Sequence, residues 1–163
     1  MERFQEAMAK AKRNLQIADH MLTQTYPLVQ DKKLLLAVME NIFLALTNAM
    51  ASVLYYERLF KRIPPFLDNF ESKFNMFKIK TAVRHNFNPE YLNLMQDVKG
   101  IVLEHRKSTV EFARNDKFII CSDNYRLRTI TVQQMKGYIS KTKLFIEDVD
   151  RIVSKEEHLF TEP

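Results

Sequence analysis

The chain has 163 residues, 46% of them apolar and 28% charged, with a net charge of +5. That is the size of a single soluble domain (residues 1–163), able to bury ~70% of its unfolded surface without a disulfide or a structural metal. One cysteine, Cys121, excludes an internal disulfide framework and a multi-cysteine zinc site, and two glycines, Gly100 and Gly137, exclude glycine-rich phosphate loops and favour helices.

In chain order, residues 2–26 read as a first helix. Phe4, Met8, Ala11, Leu15, Ala18, Leu22 and Thr25 alternate steps of four and three, a heptad-like seam, and Pro27 is expected to end it. Asp31 is placed to cap a second helix over 31–60, which is apolar nearly all round and so expected to be covered on several sides. Its most apolar run, 34–56, has the length of a membrane span, but Glu40, Asn41, Thr47, Asn48 and Ser52 interrupt it, so a buried bundle helix is expected and no membrane partner. After Pro64-Pro65 comes a shorter helix over 68–86, with Phe70, Phe74 and Phe77 on one side. Asn88-Pro89 then opens a helix expected to run to about 114, along Tyr91, Leu94, Val98, Ile101, His105, Ser108 and Phe112.

Residues 117–121 (Lys-Phe-Ile-Ile-Cys) are strand-like, 122–124 (Ser-Asp-Asn) are turn formers, and 125–130 alternate. Alternation puts Tyr125, Leu127 and Thr129 on one face of that strand and Arg126 and Arg128 on the other. Cys121 is expected to be a small buried hydrophobe. Thr131 and Gln134 then form a capping box for a last helix with the seam Val132, Met135, Ile139, Thr142, Ile146, Val149 and Val153. The fold class expected is all-α: an up-and-down bundle of four to five helices with a small β-hairpin, about 117–130, inserted before the last helix.

No metal or cofactor is expected. The chain has no Glu-x-x-His, His-Glu-x-x-His or EF-hand pattern, and no nucleophile elbow. Asp97, Glu104 and Glu111 recur every seven residues and read as a solvated acidic stripe that Lys107 can partner. Of the four histidines, His105 sits in an apolar seam and is the best acid–base candidate if the chain is an enzyme. Two stretches lack any acid: 72–89, with Lys73, Lys78, Lys80 and Arg84, and 124–146, with Arg126, Arg128, Lys136, Lys141 and Lys143. Positive charge gathered this way attracts phosphates. A nucleic-acid-binding set of Arg84, His85, Arg106, Lys107, Arg126 and Arg128 follows, with Tyr125 placed to stack on a base.

Taken together, the amphipathic first helix, the apolar second helix, the later helix ending Glu-His-Arg-Lys-Ser-Thr-Val-Glu-Phe-Ala-Arg and the closing Thr-Val-Gln-Gln-Met-Lys-Gly-Tyr-Ile resemble the HEPN superfamily of helical bundles. More loosely they resemble uncharacterised archaeal bundle proteins of similar length. The resemblance implies a cytoplasmic nucleotide- or RNA-directed protein. Many HEPN members are metal-independent ribonucleases with an Arg-x4–6-His motif late in the bundle. Arg13 to His20 and Arg151 to His158 fit that spacing, but the first lies in the opening helix and the second ends five residues from the C-terminus. With the motif misplaced, the expectation is a non-catalytic RNA- or nucleotide-binding module. The alternatives are a homodimeric structural or protein-interaction module, using the seams of the first and last helices or the hairpin edge, and a HEPN-like ribonuclease.

Overall fold

A computed structural model gives the fold and describes residues 1–107, 110–114, 117–121 and 126–155. The first seam forms α1 (Arg3–His20), which continues through a π-helical turn (Met21–Thr25) into the short α2 (Tyr26–Val29). Pro27 therefore does not stop the helix. Proline has no N–H to give, and its ring crowds the carbonyl four residues back. The widened turn, closed by Tyr26 N–H on Met21 O, precedes it and takes up the mismatch. The helix ends instead at Gln30, whose left-handed backbone (φ 52°) lets its N–H reach Tyr26 O at 2.8 Å.

The central helix is α3 (Lys32–Leu59), capped as expected by Asp31, which accepts from Lys33 N at 3.0 Å. A third rod combines α4 (Phe70–Met76), a second π turn (Phe77–Thr81) and α5 (Ala82–Arg84). Asn88 Oδ1 accepts from Glu90 N at 3.0 Å and opens α6 (Glu90–Lys107). This helix is shorter than its apolar pattern suggests. Val110–Arg114 leaves it to become β1, which pairs antiparallel with β2 (Lys117–Cys121), itself antiparallel to β3 (Leu127–Thr131). The expected hairpin is present as β2 and β3, with one strand added in front, in the order β1-β2-β3. The stretch Val110-Glu-Phe satisfies a period of two as well as a helical seam, and pairing with β2 decides between them. The last helix is α7 (Val132–Ser154), opened by the expected capping box: Gln134 N to Thr131 Oγ1 at 3.0 Å and Thr131 N to Gln134 Oε1 at 2.9 Å. Ser108, the turn 122–124, Tyr125 and His158 lie outside the described residues, as does the side chain of Phe112.

Buried side chains from all five helical rods and the sheet form one core. Phe77 and Phe145 meet edge-on with ring centres 5.8 Å apart, and Phe87 packs beside both. Phe118, Ile120 and Ile130 carry the inner face of the sheet into this core. The α1 and α7 seams are spent inside the chain: Met8, Ala11, Ala18 and Leu22, and Met135, Ile146, Val149 and Val153, are all buried against neighbouring helices. Among the described residues α3 alone is long and apolar enough to cross a membrane, and half of its most apolar window is buried inside the chain.

Candidate functional site

The six basic residues singled out in the sequence fall into two groups. Arg84 and His85 end α5 and converge on Glu57, a fully buried carboxylate near the end of α3. Arg84 donates to Glu57 Oε2 at 2.8 Å, His85 Nε2 lies 2.6 Å from Oε1, and Arg62 stands 4.0 Å away. Two helix ends create this meeting. At the end of α3, Lys61 is left-handed (φ 57°) and Arg62 N bonds back to Glu57 O at 2.8 Å. At the end of α5, Asn86 is left-handed (φ 53°) and Phe87 N bonds back to Ala82 O at 3.0 Å. Both are Schellman closures, which reverse the chain sharply, and they bring Arg62 and the Arg84–His85 pair onto one carboxylate. The second guanidinium nitrogen of Arg84 is committed to Arg62 O at 3.0 Å. The Arg/His pair thus grips an anion, but the anion is Glu57's own.

The other group lies at the sheet. Arg106 pairs with Glu40 of α3 at 3.3 Å, and Arg128 pairs with Glu104 of α6 at 3.0 Å. Glu40 and Glu57 are 17 residues apart on one helix, about 25 Å at the helical rise, so the two groups do not form one basic face. Within β3, Ile120 of β2 stands opposite Arg128 and Phe118 opposite Ile130. Arg128 therefore shares the inner face with the buried Ile130, while Leu127 and Thr129 point outward. The guanidinium lies over Gly100, where a Cβ would sit 3.6 Å from its Nη1. It also faces Tyr138, whose hydroxyl pKa is pushed up by burial, with Asp97 adding to the shift and Arg128 opposing it. Lys107 and Arg126 are exposed. The acidic stripe is divided: Glu104 takes Arg128, and Glu111, now on β1, takes His105 Nδ1 at 2.6 Å.

Arg13 and His20 are both exposed on α1, and Arg151 is bound to Asp148. Cys121 is half-buried, because it shares the outer row of β2 with Lys117 and Ile119. No group of three or more His, Cys, Asp or Glu is placed to hold a metal ion among the described residues.

The site that the sequence reading missed is a cleft between α1, α3 and α4. On α3, Leu44, Thr47, Asn48, Ala51 and Tyr55 follow one helical stripe; on α1, Arg3, Glu6, Ala7 and Lys10 follow another. The small side chains of Ala7 and Ala51 keep the two faces from filling the space between them. Phe43 extends the α3 wall, and Asp68, Phe70 and Lys73 close the far side, leaving about 500 Å³. A neighbouring hollow of about 350 Å³, reached past Arg3 and Tyr55, adds Arg58 and Lys61.

Cations and rings interleave on the cleft wall and just behind it. The Arg3 guanidinium lies 4.3 Å above the Tyr55 ring and donates to its hydroxyl at 3.3 Å. Tyr55 stacks on Phe66 at 5.9 Å, and Arg58 covers Phe66 at 5.7 Å. Phe70 packs on Phe43 at 5.5 Å under Lys99, 4.6 Å from the ring centre. Lys73 and Asp68 pair at 2.5 Å. The hydrogen bond from Lys73, then its charge, holds the Asp68 carboxyl below the usual range. Burial works to lower the Lys73 ammonium, but Asp68 and Tyr55 outweigh it and raise it. Both groups stay charged at neutral pH.

The cleft is encoded at helical spacing in α1 and α3, but its far side comes from 68–73, which only the tertiary fold brings near. Glu57 had a clearer signal. It stands four residues after Val53 and three after Leu54, on the buried stripe of α3. Compared with known proteins, the chain matches no family model, no curated protein and no solved structure.

Proposed function

We propose that the chain is a non-catalytic binding module for RNA or a nucleotide, and that the ligand lies in the α1–α3–α4 cleft. The observation that carries this reading is the alternation of rings and cations on the cleft wall and just behind it: Tyr55 and Phe70, which line the cleft, and Phe66, stacked on Tyr55, each lie within 4.3 to 5.7 Å of Arg3, Arg58 or Lys99. Bases stack on aromatic faces irrespective of sequence, at roughly 1–3 kcal/mol each. Phosphates need positive charge within reach, which Arg3, Lys10, Arg58 and Lys61 offer along the two hollows. The earlier basic set contributes less, since Arg84, Arg106 and Arg128 each answer a carboxylate of the same chain.

The test is anisotropy of labelled single-stranded RNA across a salt series. Wild type is compared with Lys10→Ala/Arg58→Ala and with Arg126→Ala/Arg128→Ala. The cleft variant is expected to lose about tenfold in affinity and to show a shallower salt slope, while the strand variant binds nearly as wild type and the RNA is recovered uncut. Absence of binding to wild type at low salt sinks the reading. Loss in the strand variant alone moves the site to the sheet.

A further inference from the structure

Resting on that reading of the cleft, we propose that it selects a base carrying an amino N–H, received by Asn48 Oδ1. The carbonyl oxygen of Ala37 can only accept. Asn41 Nδ2 donates to it at 2.8 Å, which turns Asn41 Oδ1 toward α1. That oxygen accepts from Asn14 Nδ2 at 3.3 Å, and Asn14 Oδ1 in turn accepts from Asn48 Nδ2 at 3.1 Å. An amide with one end committed has the other end determined. Flipping any one of the three sets oxygen against oxygen or NH2 against NH2. The relay therefore crosses the α1–α3 seam with fixed polarity and ends in an acceptor.

The residue that carries this acceptor lies on the cleft. Asn48 is half-buried and lines it. No described residue donates to Asn48 Oδ1, and among the described residues only Thr81 and Thr142 hold a fully buried side-chain oxygen or nitrogen without a partner, so Asn48 Oδ1 is open to solvent. Its neighbour Thr47 spends its hydroxyl proton on Phe43 O, so it too offers only lone pairs. At Thr47 and Asn48, then, this wall accepts and does not donate. The Phe43 and Phe70 rings lie on the same cleft, and Arg3 and Lys10 supply positive charge at its α1 side. A planar ring with an exocyclic amino group and an attached phosphate meets all three demands. A site that receives an N–H discriminates against an analogue lacking it, because the bound ring then takes the acceptor out of water and leaves it unpaired.

The experiment measures binding of oligoadenylate and of an equally long oligomer of purine riboside, in which hydrogen replaces the adenine amino group. Each is titrated against wild type and Asn48→Leu. Wild type is expected to favour oligoadenylate about tenfold or more, and Asn48→Leu to bind both alike with an unchanged salt slope. Equal, salt-dependent binding of both oligomers to wild type overturns the amino selection and leaves the cleft reading standing. A preference undiminished in Asn48→Leu also overturns it. Failure of wild type to bind either oligomer overturns the cleft reading and this inference together.

Discussion

Glu57 is the residue on which the end of the bundle turns. A carboxylate out of contact with water is costly unless charge and hydrogen bonds answer it. Here Arg84 and His85 do so, at 2.8 and 2.6 Å. Replacing it with an uncharged isostere leaves Arg84 facing an amide while its guanidinium still reaches water, so Glu57→Gln is expected to cost about 1.5–3 kcal/mol of stability, the scale of hydrogen bonds to a charged group. Urea unfolding reads that loss. A double-mutant cycle with Arg84→Met should give a coupling above about 1 kcal/mol; additivity of the two changes would show that the pair is not coupled. The same contacts explain why Arg84 and His85, read from the sequence as part of a phosphate-binding set, are committed to a carboxylate of the same chain. A linear pattern shows that a cation is present, whereas its partner came from a helix about 27 residues earlier.

At the scale of elements, most of the architecture was legible. The caps at Asp31, Asn88 and Thr131 act through hydrogen bonds spanning two or three residues, so local sequence suffices. Three elements were not legible. The π turns at Met21–Thr25 and Phe77–Thr81 depend on how the widened helix still packs, and β1 exists because β2 is there to pair with it. The chain also places its few glycines where helices do not want them, and ordinary residues where glycine is usual. Gly137 lies inside α7 with nothing within 4 Å of a built Cβ, while Gln30, Lys61 and Asn86 hold left-handed backbones. Gly137→Ala is expected to stabilise by roughly 0.5–1 kcal/mol. Gln30→Gly, which relieves a left-handed strain, is expected to add up to about 1 kcal/mol. Thermal melts of the two variants and of their combination check both; a lowered melting temperature in either would contradict the helix-end geometry described above.

For the molecule as a whole, the inserted sheet is part of the core and not an appendage. Phe118 is fully buried, and it joins Ile120 and Ile130 to the same cluster as the helices. Phe118→Ala is therefore expected to cost about 3–5 kcal/mol and to lower the helix-melting transition itself. Circular dichroism would show an unchanged helical melt if the sheet were instead an independent unit. The sheet's integration also explains Arg128, which strand parity binds to the inner face beside Ile130.

By itself the sequence determined the all-helical class, the capped helix starts, the burial of α3 and the hairpin at β2 and β3. Each of these rests on periodicity or on hydrogen bonds between near neighbours, and those are written locally. Only the tertiary structure decided that the six basic residues of the predicted set separate into two groups, that most of them answer carboxylates of the same chain, and that α1, α3 and α4 enclose a cleft lined by rings and cations. Ion pairing and concavity depend on residues from distant segments, and their meeting is set by helix ends and packing angles that no local pattern records.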